Sequence, residues 1–214
     1  RLASFSRVIY FDARGNGCSD RDLDVTSFEG GMDDVRAVMD AAGSERAVQF
    51  GFADGGMICA MFAASFPDRT SGLILMNTPA RGLNAPDYPW AWTREEWDAN
   101  SAWIDAGWGT RAFMEEWLRW LSPNHEMDDA TVKRYARLFR SAASPGSMIA
   151  LNSMLRDADV RAVLPSIQVP TLVMHATDNP IELVEQGRYI AEHIPGATLV
   201  ELPLADHMLI WEAA

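Results

Sequence analysis

The sequence predicts an α/β fold in which helices cover a parallel sheet, and three observations carry this prediction. Short apolar runs alternate along the chain with segments of helical periodicity. The apolar runs lack strict in–out alternation, as expected of parallel strands that are covered on both faces. The 214 residues, 48% of them hydrophobic, are enough for one core and a modest accessory element.

Five apolar runs are predicted strands of this sheet, and three helices are predicted between them. The helices have plausible stop signals, since Gly43 follows the first and Pro67 follows the second. The predicted strands are 8–11, 47–50, 73–76, 171–174 and 198–201. The predicted helices are 32–42, 57–65 and 184–193.

The middle of the chain, residues 80–160, is helical in pattern and contains no convincing strand. We therefore expect a helical cap inserted into a core made of residues 1–79 and 161–214. Seven of the eight tryptophans fall in this region. They either pack a small helical layer or line an apolar pocket beneath a lid. Trp90, Trp92 and Trp108 are the candidates for the substrate pocket.

Composition limits the expected partners. The formal net charge of -12 disfavours nucleic acid, because binding phosphates needs clustered Lys and Arg. No apolar run approaches the roughly 18 residues of a membrane-spanning helix, so no membrane partner is expected. Cys18 and Cys59 show neither metal-ligand spacing nor a disulfide framework, and no metal or cofactor is implied. A cytoplasmic location is the default expectation, and no pattern indicates an oligomeric state.

The strongest chemical signal is a glycine-rich turn, GFADGG at residues 51–56, between a predicted strand and a predicted helix. The pattern G-x-S-x-G in this context holds a nucleophilic serine in a strained turn, flanked by small residues. Gly51 and Gly55 fit the small positions, and Gly56 extends them. The central residue, however, is Ala53, which has no oxygen for attack. Taken alone, the turn also fits a strand-to-helix junction without chemistry.

Two further segments resemble those of α/β-hydrolases. Residues 11–20, FDARGNGCSD, resemble the D-x-R-G-x-G-x-S segment that follows the fourth strand of that fold. Residues 202–207, LPLADH, resemble its histidine loop. The chain order of elbow, acid and histidine is also that of the family. The resemblance implies an α/β-hydrolase fold with a helical cap insertion and a Ser-Asp-His triad.

A narrower resemblance is to α/β-hydrolases found near, or fused to, adenylate and guanylate cyclases. It rests on segments 62–69, 81–93, 143–146 and 185–189. It implies an ester-type hydrolase that needs no cofactor and takes a small apolar ester-like substrate or ligand. It also implies that the first three strands and the loop with the second oxyanion donor are absent, so that the chain is an N-terminally truncated fragment.

The acid and base positions follow from the same resemblance. His207 is the expected base, and the backbone N–H of Asp54 is an expected oxyanion donor. Asp54 itself is a poor substitute nucleophile, because a turn centred on it would put Phe52 where a small residue is needed. The family motif H-x-T-G-D aligns without gaps so that Asn179 is at the acid position, whereas a shift of one residue would bring Asp178 there. Both alternatives stay open.

Three functional hypotheses follow. The first is a serine-hydrolase lineage whose nucleophile is replaced by Ala53, which leaves the chain inactive as written. The second is a non-catalytic pseudo-hydrolase that binds a small ligand or regulates a partner such as a cyclase. The third is a non-hydrolytic enzyme that uses His207 as a general base. We also expect the Ala53 side chain to face the His207 ring, His175 to be structural, and His125 to lie on the surface.

Overall fold

The computed structural model describes residues 2–20 and 27–208. Within these ranges four strands form one parallel sheet in the order β1-β2-β3-β4. The strands are β1 Ala47–Phe52, β2 Thr70–Met76, β3 Thr171–Ala176 and β4 Thr198–Leu202. The α/β prediction is confirmed, and four of the five predicted strands belong to this sheet.

The fifth predicted strand, residues 8–11, does not form, and that prediction was wrong. The segment belongs to no strand, and Tyr10 is 87% exposed. Val48 and Phe50 of β1, the first strand at one edge of the sheet, are also about half exposed. Among the described residues no strand pairs with β1 on the side away from β2. An apolar run becomes a strand only when its backbone groups find a ladder partner, and residues 8–11 have none there.

Three helices flank the sheet close to their predicted positions: α1 Phe28–Ala41, α2 Asp54–Ser65 and, later in the chain, Val184–His193. The Ser27 side chain accepts from the Gly30 N–H and caps α1. Helix α1 ends two residues before Gly43, which has a φ of 63°. Helix α2 is apolar nearly all round and lies in the core, because it packs against β1, β2 and α1 at once.

Four further helices lie between β2 and β3: α3 Arg94–Gly107, α4 Arg111–Leu121, α5 Asp129–Ala142 and α6 Pro145–Arg156. Each begins at a Thr, Asp or Ser whose side chain accepts a backbone N–H of the first turn. Helix α3 packs on α6, and α4 packs on α5. The chain leaves and re-enters the core at adjacent points, since the Gly82 N–H donates to Ala158 and the Val160 N–H donates to Ala80. The last helix, Val184–His193, is therefore α7.

No helix in the described part of the chain is both long enough and apolar enough to cross a membrane.

Candidate functional site

Ala53 connects β1 to α2 in a backbone conformation that is rare for a residue with a side chain. Its φ is 49° and its ψ is -127°. Such a conformation costs of order 1–3 kcal/mol and persists only where surrounding contacts enforce it. Here the Ala53 N–H donates to the Met76 carbonyl over 2.9 Å, and the Ala53 carbonyl accepts from the Gly56 N–H over 3.0 Å. The turn therefore has the strained geometry expected of a nucleophile elbow.

The glycines around this turn do not all serve the purpose that the pattern suggests. A Cβ on Gly51 would lie 2.4 Å from the Cα of Gly56, and a Cβ on Gly56 would lie 2.0 Å from Oγ1 of Thr78. A Cβ on Gly55 would meet nothing within 4 Å. Close approach of the strand and the helix therefore requires glycine at 51 and 56. Contrary to expectation, the space around Gly55 admits a side chain.

His207 lies on the loop after β4 and is buried. Its backbone N–H donates to the Leu121 carbonyl of the cap, and its backbone carbonyl accepts from Nδ2 of Asn77. The Phe52 ring lies 5.0 Å from the His207 ring, so the elbow and the histidine loop meet at one edge of the sheet. Burial lowers the pKa of His207 to about 4, so the ring is neutral at pH 7. A direct contact between Ala53 and the ring stays a prediction.

The two candidate acid residues lie in different environments. Asn179 is buried, and its Nδ2 is 3.1 Å from Nδ1 of His207. Asp178 is exposed, and its carboxylate accepts from the Thr177 hydroxyl instead. The structure thus brings Asn179, and not Asp178, to the histidine.

The orientation of the Asn179 amide decides which nitrogen of His207 carries the proton. Oδ1 of Asn179 accepts from the backbone N–H groups of Ile181 and Glu182, at 3.0 and 3.2 Å. The NH₂ group therefore points to His207, and an NH₂ can only donate. Nδ1 of His207 must accept, so the proton of the neutral ring is on Nε2. A base for a serine hydroxyl needs the opposite tautomer.

A small cavity lies beside the elbow, with about 30 Å³ of internal space and about 310 Å³ in total when its opening to solvent is included. Its walls come from α2, from the segment that leads into the cap, from α3 and from the loop before α7. Two carboxyl groups and two indole rings stand out among the residues that line it: Asp54, Glu182, Trp92 and Trp97.

Of the three predicted pocket tryptophans, Trp92 lines this cavity and the other two pack elsewhere. Trp90 packs on the buried Tyr88, with ring centroids 5.4 Å apart. Trp108 donates from Nε1 to the Ala143 carbonyl and packs within the cap. Trp97 was not predicted, because helical spacing alone cannot show which side of α3 would face the core.

The role of the Asp54 N–H as an oxyanion donor stays a prediction. Burial raises the pKa of the Asp54 carboxyl, and the backbone N–H groups of Asp54 and Gly55 offset part of that rise. The raised pKa favours the neutral carboxylic acid at this point.

Asn77 is a residue of the site that sequence reasoning missed. It is fully buried, follows β2 and has a φ of 47°. Its Nδ2 donates to the His207 carbonyl over 2.7 Å, and its Oδ1 accepts from the Ala176 N–H over 2.9 Å. Asn77 thus ties the ends of β2 and β3 to the histidine loop. An Asn directly after a buried strand, a type that tolerates positive φ, is the signal that could have identified it.

His125 is partly exposed, at 31% of its side chain. Its Nδ1 lies 3.2 Å from Oδ2 of the buried Asp206, whose Oδ1 accepts from the Asn124 N–H. The hydrogen bond from Asn124 to Asp206 links the loop after α4 to the histidine loop. His175 is buried and donates from Nε2 to the Glu182 carbonyl, which agrees with a structural role.

Across residues 2–20 and 27–208, no group of three or more His, Cys, Asp or Glu side chains is arranged to hold a metal ion.

Comparison with known proteins agrees with this architecture. The enol-lactonase from Burkholderia xenovorans superposes with a TM-score of 0.75 at 27% identity, over 92% of this chain and 72% of that one. An esterase from Exiguobacterium antarcticum has the same fold, with a TM-score of 0.83 at 24% identity over 92% of this chain and 72% of its own.

A curated relative, 3-oxoadipate enol-lactonase 1 of Acinetobacter baylyi, is 25% identical over 90% of this chain and 69% of its own length. The family profile described as alpha/beta hydrolase fold matches residues 5–214. Since this match spans nearly the whole sequence, the chain belongs to the α/β hydrolase fold family.

Proposed function

We propose that this protein is a pseudo-hydrolase, which keeps the ligand pocket of an esterase-type α/β hydrolase and has lost the acyl-enzyme reaction. The observation that carries the proposal is the contact between Asn179 and His207. Ala53 removes the nucleophile, but a single substitution there could leave the rest of the machinery intact. The hydrogen bonds of the Asn179 amide support a tautomer of His207 that cannot act as base for a serine.

The magnitudes support loss of activity. Loss of the nucleophile alone costs about 10⁶ in kcat in a well-studied serine protease. Asn in place of the triad acid costs about 10⁴ when the serine is present. The missing nucleophile and the orientation of the base are independent changes against one mechanism.

Retention of a pocket supports a binding role. The cavity beside Ala53 combines aromatic walls with a few polar groups, as small-molecule sites do. Esterases and lactonases with the same fold act on esters, so we propose that the ligand is a small ester-like molecule. We propose a regulatory rather than a catalytic use of that ligand, because the nucleophile position is Ala53.

A lyase-type enzyme with His207 as general base has less support. A base needs a free lone pair facing the ligand, and Nδ1 is the nitrogen that accepts from Asn179. The low pKa of His207 also makes the ring a weak base.

Labelling with a fluorophosphonate probe, followed by mass spectrometry, tests the proposal directly. We expect the protein to remain unlabelled and to hydrolyse p-nitrophenyl acetate no faster than the heat-denatured chain. The variant Ala53→Ser with Asn179→Asp serves as the positive control for labelling. Labelling of the unaltered protein by the probe, or hydrolysis of p-nitrophenyl acetate by it, would contradict the proposal.

A further inference from the structure

The cavity beside the elbow is too small to hold an organic ligand in the conformation described here. Its internal space is about 30 Å³, whereas sites for small molecules usually measure about 300–1,000 Å³. A space of that size holds no more than a few water molecules. The ester-like ligand proposed above can therefore enter only when a wall of the cavity moves.

One wall of the cavity is supported from behind by the end of helix α4. The Trp92 ring lines the cavity and packs on the Trp120 ring, with ring centroids 5.5 Å apart. Trp120 belongs to the last turn of α4, after which the chain turns towards α5. We call residues 120–128, which end at the N-cap of α5, the cap tip. A displacement of the cap tip would remove the support of Trp92.

The cap tip is the far end of a helical hairpin that is made of α4 and α5. These two helices pack on each other, and α3 and α6 form the other pair of the cap. At the base of the hairpin, the Ala143 carbonyl accepts from Nε1 of Trp108 over 2.9 Å. The Ala142 carbonyl accepts from the Gly17 N–H over 2.7 Å, which ties the base to the segment before α1. A tilt of the hairpin about this base would move the cap tip furthest.

The cap tip is bonded to the loop after β4, and Asp206 is central to that contact. Oδ1 of the buried Asp206 accepts from the Asn124 N–H over 3.0 Å. The backbone N–H groups of His207 and Met208 both donate to the Leu121 carbonyl, at 2.9 and 3.2 Å. These hydrogen bonds join the cap tip to the loop that carries the histidine of the site.

This contact leaves buried polar atoms unpaired. Among the residues that the structure describes, neither the Ser122 hydroxyl nor Nδ1 of His125 has a hydrogen-bond partner, although both atoms are buried. Nδ1 of His125 lies 3.2 Å from Oδ2 of Asp206, but without the alignment of a hydrogen bond. Buried polar groups without partners are costly, and both would gain water if the cap tip lifted. The unpaired groups therefore lower the free energy that opening requires.

From this geometry we propose that the α4–α5 hairpin is a gate over the cavity, and that Asp206 is the residue that holds the gate closed. Opening breaks the contacts of the cap tip with Asp206, His207 and Met208, and it removes Trp120 from the back of Trp92. The inference rests on the proposed ligand-binding function, because it states how the ligand enters. It also couples the cap to the site, since one loop carries both the histidine and the residue that closes the gate.

Amide hydrogen exchange followed by NMR tests the gate without any ligand. We expect the amides of Asn124, His207 and Met208 to exchange through one common opening. Their exchange should be at least about tenfold faster than that of the amides in β2 and β3, because the gate opens while the sheet stays folded. If the three amides exchange only as fast as the sheet, they open only by global unfolding, and the proposal is overturned.

Substitutions at Asp206 locate the contact that closes the gate. Asp206→Ala removes the acceptor of the Asn124 N–H and should speed exchange of the three amides at least about tenfold. Asp206→Asn keeps an oxygen that can accept from Asn124 and should restore most of the protection. Asp105→Ala is the matched control, because Asp105 is an exposed residue of the cap helix α3, and it should leave this exchange unchanged. Equal acceleration in β2 and β3 by Asp206→Ala would show general destabilisation instead of a gate.

Titration calorimetry with methyl butyrate separates the gate from the proposed function. A ligand that enters only the open form binds more tightly when that form is more populated. We therefore expect Asp206→Ala to bind methyl butyrate about tenfold more tightly than the unaltered protein, and Asp105→Ala to bind it as the unaltered protein does. Equal binding by Asp206→Ala and the unaltered protein would overturn the gate. Absence of binding to all three would end the ligand-binding proposal, while the exchange rates would still decide whether the hairpin opens.

Discussion

The Asn179 amide donates to Nδ1 of His207 over 3.1 Å, and this contact sets the protonation of the histidine. The amide cannot turn round, because two backbone N–H groups occupy its oxygen. An aspartate at 179 would accept from Nδ1–H and leave Nε2 free. An amide in place of a carboxylate at this position therefore reverses the direction of the hydrogen bond at Nδ1 and leaves the ring proton on Nε2.

Rescue of hydrolysis should need both residues. Ala53→Ser alone should give little turnover of short p-nitrophenyl esters, because a hydroxyl is a poor nucleophile without an oriented base. Adding Asn179→Asp should raise the rate by up to about 10⁴, and the two changes should be strongly non-additive. Steady-state rates for the two single variants and the double variant measure this.

Asp178→Asn on the Ala53→Ser background is the matched control, since Asp178 is exposed and does not contact His207. It should have no effect. Full activity of Ala53→Ser that Asp178→Asn abolishes would identify Asp178 as the working acid. A double variant that stays inactive would place the loss beyond the triad.

The tautomer of His207 should be visible by NMR. In the unaltered protein at pH 7, ¹⁵N–¹H correlation of the imidazole should show a protonated Nε2 and an unprotonated Nδ1. Asn179→Asp should transfer the proton to Nδ1 and raise the pKa of His207 above its value of about 4. An Nδ1–H signal before the substitution would show that the amide is oriented the other way.

Glu182 should make stability fall with rising pH. Its pKa is about 8 in the folded chain and 4.5 as the ordinary value, so between these values the folded state holds a proton that the unfolded state has lost. The stabilisation is complete below pH 4.5 and is lost as pH rises to 8. Urea denaturation should therefore find Glu182→Gln more stable than the unaltered protein at pH 9, by about 2–4 kcal/mol, and similar at pH 4.

Glu185→Gln is the control, because Glu185 pairs with Arg188 on the surface. The difference between this variant and the unaltered protein should be small at every pH. A Glu182→Gln variant that is no more stable at pH 9 than at pH 4, relative to the unaltered protein, would mean that solvent reaches the carboxyl.

Substitutions at the two elbow glycines should have different effects on the free energy of unfolding. Gly56→Ala forces a Cβ against the Thr78 side chain and should destabilise the fold by about 1–3 kcal/mol or more. Gly55→Ala adds a methyl group in open space within α2 and should be neutral or stabilising by up to about 1 kcal/mol. Urea unfolding of the two variants decides the matter, and equal losses would contradict the packing described for this turn.

Local patterns determined much of the molecule. The sequence predicted the four strands that form, the glycine-rich elbow and the histidine loop. Strands and glycine turns can be predicted in this way because they depend on residues close together in the sequence. The sequence alone shows that the side chain at residue 53 has no oxygen. Asn179 and Asp178 could not be separated, because a shift of one residue in a loop changes no local pattern.

Only the tertiary structure decided which side chains meet. Asn77 and His207 are 130 residues apart, and Tyr88 and Gln186 are 98 residues apart, yet each pair shares a hydrogen bond. The strand expected at 8–11 did not form, because pairing depends on a partner and not on the run itself. No sequence pattern indicated that the carboxyl groups of Asp54 and Glu182 would line one cavity. Their shared cavity, and the raised pKa of each, exist only because the fold buries them together.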